Sequence, residues 1–177
     1  MKLIHCSDLH LDSKMESNLS REQARERKRE LLLAFERLVS YASDHGVRGI
    51  LIAGDLFDGT YITKTAARMV EDQIRSHPQI DFLYLKGNHE KDSFLVGLDE
   101  VPANLKVFSD TWTKFSYGNV AVTGVELTPE NSKNIYDSLV LKQDDVNIVM
   151  LHGQEASYEV KNQAETIHIR ALQNKYI

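Results

Sequence analysis

The sequence predicts an α/β fold, and three observations lead to this prediction. Apolar runs of strand length alternate with amphipathic helical stretches in the order β-α-β-α-β up to Phe82–Leu85. Four strand-like runs end abruptly in Asp, Asn or His, which is where open α/β sheets bind their ligands. Further along, short β-type runs with a hairpin turn at Tyr117-Gly118-Asn119 indicate a second, partly antiparallel sheet.

The composition limits the class of protein. A chain of 177 residues, 42% of them hydrophobic, is long enough for one domain with a substantial core, and we predict a single domain over residues 1–177. The single cysteine, Cys6, excludes an intramolecular disulfide. The absence of a long apolar run at the N-terminus favours a cytoplasmic protein with no membrane association. The net charge of -5 argues against a generally basic surface for nucleic acids.

The elements follow in chain order. The predicted strands and helices of the first half are a strand at Lys2–Cys6, a helix beginning at the capping-box pattern Ser20–Gln23, a strand at Gly49–Ala53, a helix at Thr63–Arg75 and a strand at Phe82–Leu85. The second half contains predicted strands at Leu105–Phe108, Thr111–Ser116, Val120–Val125 and Val146–Leu151, a short helix at Ser132–Leu141 and a helical stretch at Ala164–Tyr176. A charged run at the start of the first helix, residues 25–30, favours ion pairs within the helix over contacts with DNA.

Polar motifs follow four of these strands. The motifs are Asp8-x-His10, Gly54-Asp55-x-x-Asp58, Gly87-Asn88-His89-Glu90 and His152-Gly153. Each has an ordinary explanation when taken alone: an aspartate can cap a helix, an asparagine can occupy a turn, and a histidine can lie satisfied in a core. Helix capping does not explain His10, His89 and His152 together, so the set indicates a functional site.

Taken in order, these motifs resemble those of the calcineurin-like metallophosphoesterases, from residue 2 to the end of the chain. The segments His5–Ser13 and Gly54–Asp58 are similar to the SbcD-type DNA repair exonucleases within that superfamily. Glu90 departs from the Gly-Asn-His-Asp that those nucleases more often contain. The resemblance implies a four-layer α-β-β-α sandwich, in which two face-to-face sheets carry helices on both outer sides.

Carboxylate, imidazole and amide ligands without a thiolate suit manganese, iron, zinc or magnesium. The resemblance implies two divalent ions, with manganese as the first expectation, that clamp a phosphate and activate water. By resemblance, Asp8 and His10 bind one ion, Asp55 bridges both, and Asn88 and His152 bind the other. His89 would act on the leaving oxygen, and Asp58 would orient His89.

One motif of the superfamily is absent from the sequence. Its members close the site with Gly-His-x-His, and nothing after His152 matches; His168 lacks both the preceding glycine and the second histidine. We therefore expect the domain to be truncated before its last metal-binding motif, with a natural variant that has a degenerate site as the alternative. The chain as it stands is then expected to bind metal weakly and to show little or no hydrolysis.

The leading functional prediction is metal-dependent phosphodiester hydrolysis by a DNA exonuclease of a double-strand-break repair complex. The resemblance implies DNA as the substrate and an SMC-like coiled-coil ATPase as the partner subunit, and a homodimer is a further option. One alternative is a phosphatase or phosphodiesterase acting on a small molecule or a protein. Another is a binding module that keeps the fold without catalysis. The sequence leaves both alternatives open.

Overall fold

A computed structural model of the chain describes residues 1–15, 19–58, 62–87, 90, 94–156, 166–173 and 175. It has the predicted α/β class. The strands are β1 (Leu3–Cys6), β2 (Gly49–Ala53), β3 (Asp81–Leu85), β4 (Leu105–Val107), β5 (Thr113–Tyr117), β6 (Val120–Gly124), β7 (Val146–Met150), β8 (Gln154–Glu155) and β9 (Thr166–Ile167). The α-helices are α1 (Arg21–Asp44) and α2 (Lys64–Ser76), and 3₁₀ turns lie at Phe94–Gly97, Ile135–Ser138 and Ile169–Leu172.

The first sheet has the strand order β1-β2-β3-β4. β1 and β2 are parallel, with Ile4 opposite Ile50, and β2 and β3 are buried along their whole length. This burial explains why both strands are continuous apolar runs in the sequence. The carboxyl ends of β1 and β2 consequently lie at the same edge of the sheet, as the β-α-β pattern predicts.

Helix α1 begins where the capping box predicts. The Ser20 hydroxyl accepts a hydrogen bond from the Gln23 amide at 3.2 Å, and the Gln23 side chain accepts one from the Ser20 amide at 2.9 Å. The helix ends before Gly46, whose φ of 63° suits a residue without a Cβ. In the charged run at its start, Arg27 pairs with Glu30 at 2.6 Å, which supports the interpretation of this run as ion-paired.

The second sheet has the order β5-β6-β7 and is mixed, as the sequence predicts. β5 and β6 are antiparallel with Tyr117 opposite Val120, so their turn consists of Gly118 and Asn119, and Gly118 has a φ of 64°. β6 and β7 are parallel, with Val122 opposite Ile148. The two-residue turn explains why this hairpin was visible in the sequence.

The chain divides into two compact units, one formed by Met1–Tyr84 with His89–Lys106 and the other by Leu85–Asn88 with Val107–Ile177. The first unit contains α1 and α2, and α2 packs its buried residues Ala66, Val70 and Ile74 inward. In the second unit Val125, Ile135 and Tyr136 form a buried cluster. No helix within the described ranges combines the length and apolarity needed to cross a bilayer.

Two helix predictions in the second half are wrong. The predicted helix at Ser132–Leu141 is only the 3₁₀ turn Ile135–Ser138, because the Thr128 and Asn131 side chains each bond the other residue's amide and stabilise a turn instead. The stretch predicted as helical at Ala164–Tyr176 contains β9 and a 3₁₀ turn in its described part. The β-branched pair that forms β9 there is bonded in parallel to β8.

Candidate metal centre

The loop that follows β1 lies beside the loop that follows β2. The amide of Asp8 donates to the Gly54 carbonyl at 3.1 Å, and the amide of His10 donates to the Asp55 carbonyl at 3.0 Å. One residue further, the Leu11 amide donates to the Leu56 carbonyl at 2.9 Å. The sheet pairing thus continues past the strand ends in the main chain. As a result, two motifs that are more than forty residues apart in the sequence present their side chains at one place.

The backbone of these two loops is strained. Asp8, His10 and Asp55 have φ values of 54°, 44° and 52°, and Asp12 has a φ of 62°. Positive φ is uncommon for residues with a Cβ and costs on the order of 1–3 kcal/mol at each position. Strain of this kind persists only where the surrounding structure enforces it, and it concentrates at functional sites. Its coincidence here with the predicted ligands favours a functional explanation.

The side chains of Asp8, His10 and Asp55 converge. His10 Nε2 lies 4.0 Å from Asp8 Oδ1 and 3.9 Å from Asp55 Oδ2, and the two aspartates each place a carboxylate oxygen within 4.8 Å of the other. Two donors on one ion, each at about 2.1 Å, are at most about 4.2 Å apart. Both distances from His10 satisfy that limit. These residues therefore fit a divalent metal ion with a hard, oxygen-rich ligand set.

Burial differs among the three side chains. Asp55 is 2% exposed, whereas His10 is 34% exposed and Asp8 56% exposed. Burial of a carboxylate is costly, and a cation bound beside it would offset part of that cost. The exposed side formed by Asp8 and His10 leaves the centre open to a ligand from solution. The first unit thus presents a group of side chains that could hold a metal ion and that solvent reaches from one side.

Asp58 contacts the other ring nitrogen of His10. Its Oδ1 lies 3.8 Å from His10 Nδ1, and its Oδ2 accepts a hydrogen bond from the Ser13 hydroxyl at 2.7 Å. A carboxylate behind a metal-ligating histidine fixes the orientation and tautomer of the ring. The described contacts of Asp58 thus serve His10. The predicted role for Asp58, orienting His89, stays a prediction because His89 lies outside the described residues.

The helix-cap explanation for the aspartates is wrong. Ser20 caps α1 and Thr63 caps α2, each through its own side-chain oxygen. Asp8 and Asp55 both lie in left-handed backbone conformation before these caps. Their placement at the sheet edge therefore needs another explanation, and convergence on a cation supplies one.

The other predicted site residues are placed as follows. Asn88 and His89 lie outside the described residues, so their predicted roles stay predictions. His152 is half-buried in the second unit and lies two residues after the last residue of β7, close to the strand end where the sequence places it. His168 donates its amide to the Tyr136 hydroxyl at 3.0 Å, and its ring packs edge-on to the Tyr136 ring. A structural role for His168 is therefore supported.

Three polar residues near this centre were not singled out from the sequence. Asp12 accepts a hydrogen bond from the Thr63 amide at 2.8 Å and lies 3.6 Å from Lys28, so it joins the loop after β1 to both helices. Ser13 supports Asp58, as described above. Glu90 had been noted only as a departure from a motif, yet it is 1% exposed and bonded to the loop after β2. What could have indicated Asp12 and Ser13 as supporting residues of the site is that they lie next to the Asp-x-His motif in the sequence.

Burial shifts the pKa values of Cys6 and Glu126, both among the residues that the structure describes. Burial raises the pKa of the Cys6 thiol to about 11, so Cys6 is a neutral side chain at physiological pH and is not an activated nucleophile. In the second unit, burial raises the pKa of Glu126, and the neighbouring Lys86 ammonium at 3.7 Å opposes this shift. Lys86 directly precedes Gly87-Asn88, so this ion pair fastens the start of the third motif.

Comparison with known proteins agrees with this geometry. The search of curated proteins finds no matching relative. The sequence model of the calcineurin-like phosphoesterase family, in contrast, matches residues 1–174, which includes all four strand-end motifs. The chain therefore belongs to the calcineurin-like phosphoesterase family.

Proposed function

We propose that the protein is a metal-dependent phosphodiesterase that degrades DNA from an end. Membership of the calcineurin-like phosphoesterase family supports the general part, which is hydrolysis of phosphoesters with the help of divalent metal ions. The choice of DNA is supported by the similarity of His5–Ser13 and Gly54–Asp58 to the SbcD-type exonucleases. The same similarity supports a coiled-coil ATPase as partner and two manganese ions as cofactors.

The observation that carries the proposal is the convergence of Asp8, His10 and Asp55. His10 Nε2 lies within 4.0 Å of a carboxylate oxygen of each aspartate. Metal ions bound there would supply electrophilic stabilisation of a phosphate and a nucleophile from water. These residues would hold an ion, and Asp58 would orient His10 through its contact with the Nδ1 nitrogen. The resemblance implies that Asn88 and His152 would complete the ligand set and that His89 would protonate the leaving oxygen.

The second candidate is a phosphatase or phosphodiesterase for a small molecule or a protein. The net charge of -5 favours it, because proteins that track a DNA backbone normally neutralise several phosphates with clustered Lys and Arg. A small phosphoester needs only the local positive charge of the metal centre. The two candidates therefore differ in substrate rather than in chemistry.

The test compares three substrates in the presence of Mn²⁺, with protein expressed from the complete reading frame, because the 177 residues alone are expected to show little or no hydrolysis. These are end-labelled linear DNA, the diester bis-p-nitrophenyl phosphate and the monoester p-nitrophenyl phosphate. We expect the DNA to shorten from its ends, the diester to be cleaved and the monoester to be cleaved poorly. Strong cleavage of the monoester without any action on DNA would establish the second candidate. No hydrolysis of any substrate by protein that binds Mn²⁺ would establish a non-catalytic binding module.

A pair of variants shows whether activity belongs to this centre. Asp55→Asn should lose both bound Mn²⁺ and hydrolysis, because it removes a charged ligand that the fold holds buried. Asp144→Asn changes an exposed aspartate before β7 in the same way and should behave like the unaltered protein. Equal activity of these two variants would place the chemistry elsewhere.

A further inference from the structure

The Glu90 carboxylate is buried in the first unit and accepts two hydrogen bonds on one oxygen. Its Oε1 accepts from the Phe57 amide at 3.1 Å and from the Tyr84 hydroxyl at 3.0 Å. The residue is 1% exposed. Burial of a carboxylate is costly unless directed donors compensate for the lost water, and hydrogen bonds to an ionised acceptor are the stronger kind. Such an arrangement is therefore specific in its geometry.

The Phe57 amide belongs to the loop that carries two site residues. Phe57 lies two residues after Asp55 and directly before Asp58. β2 ends at Ala53, and beyond it the main-chain bonds from the loop after β1 hold this loop on one side. The Leu11–Phe57 bridge holds one side of it, and Glu90 binds its main chain from within the core. Buried amides are almost always bonded in native proteins, and here a side chain fulfils that need.

Tyr84 gives the Glu90 carboxylate a rigid support. Tyr84 lies in β3 and is completely buried, and its ring packs edge-on against Phe94 at a centroid distance of 5.4 Å. Phe94 also contacts the Phe57 ring, with centroids 5.6 Å apart. The oxygen that bonds Phe57 is thus held by a strand of the sheet and surrounded by packed aromatic rings. Its position cannot shift without disturbing the core.

From these contacts we infer that Glu90 is a positioning residue, which holds the loop after β2 so that Asp55 meets its metal ion in the required geometry. The inference rests on the proposed function, since it concerns the same metal centre. Asp55 has a strained φ of 52°, and a loop held against its preferred conformation relaxes when a restraint is removed. The hydrogen bond from the Phe57 amide to Glu90 is such a restraint. Outer groups that orient a metal ligand typically change affinity by about 10–100-fold.

Three substitutions of Glu90 distinguish the effects of its side-chain length, its negative charge and its volume. Glu90→Gln keeps a carbonyl acceptor at the same reach and should bind Mn²⁺ within about threefold of the unaltered protein. Glu90→Asp is shorter by one methylene and should not serve both donors, so its Mn²⁺ affinity should fall by about tenfold or more. Glu90→Met fills the space without an acceptor for Phe57 and should fall at least as far.

Tyr84→Phe is the matched control. It removes the other donor to the same oxygen but leaves the bond to the Phe57 amide and the packed ring of residue 84, which together still hold the carboxylate in place. This variant should lose stability in urea unfolding while its Mn²⁺ affinity stays within about threefold of the unaltered protein. If Glu90 has a purely structural role, Mn²⁺ affinity should follow stability in urea across all four variants. Loss of the bond to the Phe57 amide would then lower the affinity no more than loss of the bond to Tyr84.

Two readouts keep the inference apart from the proposed function. Amide hydrogen exchange, measured by NMR without metal, should show Phe57 protected in the unaltered protein and in Glu90→Gln but not in Glu90→Met. Calorimetric titration with Mn²⁺ then measures the consequence. Normal Mn²⁺ affinity in folded Glu90→Asp and Glu90→Met would overturn the inference, as would unchanged protection of Phe57. If neither variant folds, loss of affinity in Glu90→Gln overturns it and retained affinity upholds it. Absence of Mn²⁺ binding by the unaltered protein would instead refute the proposed function. The hydrogen-exchange result would still show whether Glu90 holds the Phe57 amide.

Discussion

His10 has a different neighbour at each ring nitrogen. Nε2 faces the carboxylates of Asp8 and Asp55, and Nδ1 lies 3.8 Å from Asp58. The 3.8 Å between His10 Nδ1 and Asp58 Oδ1 is long for a hydrogen bond, but contacts at active sites often tighten only when the ligand is bound. From this arrangement we expect Asp58 to support metal binding, which differs from its predicted role toward His89. The two roles predict different behaviour in one variant.

We expect Asp58→Asn to lower Mn²⁺ affinity by about 10–100-fold. The neutral side-chain amide that replaces the carboxylate stabilises the His10 tautomer that presents Nε2 to the metal less well. Calorimetric titration measures this change, and circular dichroism confirms the fold. Ser13→Ala removes only the donor behind Asp58 and should have a smaller effect in the same direction. If Asp58→Asn instead binds Mn²⁺ normally and loses turnover by about a hundredfold, Asp58 serves His89 as the sequence predicts.

At the scale of single elements, β6 shows how closely a strand can pack. A Cβ built on Gly124 would lie 2.8 to 3.0 Å from atoms of the Phe108 ring, which is itself buried and packed edge-on against Phe115. Contacts that close require the ring to move. Gly124 is therefore needed for the approach of Phe108 to the second sheet, independently of any unusual backbone angle.

Gly124→Ala should destabilise the protein by about 1–3 kcal/mol, as overpacking of a filled core does. The midpoint of urea unfolding measures this loss. Gly97→Ala is the matched control, because nothing lies within 4 Å of a Cβ there, and it should change stability by less than about 0.5 kcal/mol. Adding Phe108→Leu to Gly124→Ala should recover part of the loss. Equal stability of the two alanine variants would show that the ring moves aside without cost.

The same scale shows what the sequence could and could not predict. The β-α-β-α-β order and the hairpin at Gly118-Asn119 were predictable because periodicity and turn chemistry are local signals. The helix predicted at Ser132–Leu141 failed because two side chains, Thr128 and Asn131, bond the main chain in a turn just before it. Apolar spacing does not reveal such competition.

Contacts between distant residues were the other limit. The convergence of Asp8, His10 and Asp55 could be predicted because parallel strands bring their carboxyl ends to one edge. The bond from the Thr63 amide to Asp12 spans 51 residues and leaves no trace in either segment. The same holds for Glu90, whose burial beneath Phe57 depends on the packing of three aromatic rings. A sequence indicates which residues reach an edge, but not which residues support them from behind.

At the scale of the whole molecule, charge decides how a polyanion could bind. The chain has a formal net charge of -5, so at long range it repels DNA. Two divalent cations at the proposed centre would offset four of these five charges, and they would do so at the point where a phosphate must bind. DNA binding should therefore depend on the metal and should involve few phosphates.

The corresponding prediction concerns cleavage-resistant phosphorothioate DNA, titrated by fluorescence anisotropy at several salt concentrations. Without metal we expect no measurable binding. With Mn²⁺ we expect measurable binding. The logarithm of the association constant should fall with the logarithm of the salt concentration at a shallow slope, on the order of −1 to −3, because about one to three phosphates are neutralised. Asp55→Asn should abolish the effect of Mn²⁺, and Asp144→Asn should preserve it. Tight binding without metal and a steep salt slope would reveal a basic surface that the net charge conceals. If Mn²⁺ instead promotes binding of inorganic phosphate but not of DNA, the small-molecule or protein substrate becomes the better proposal.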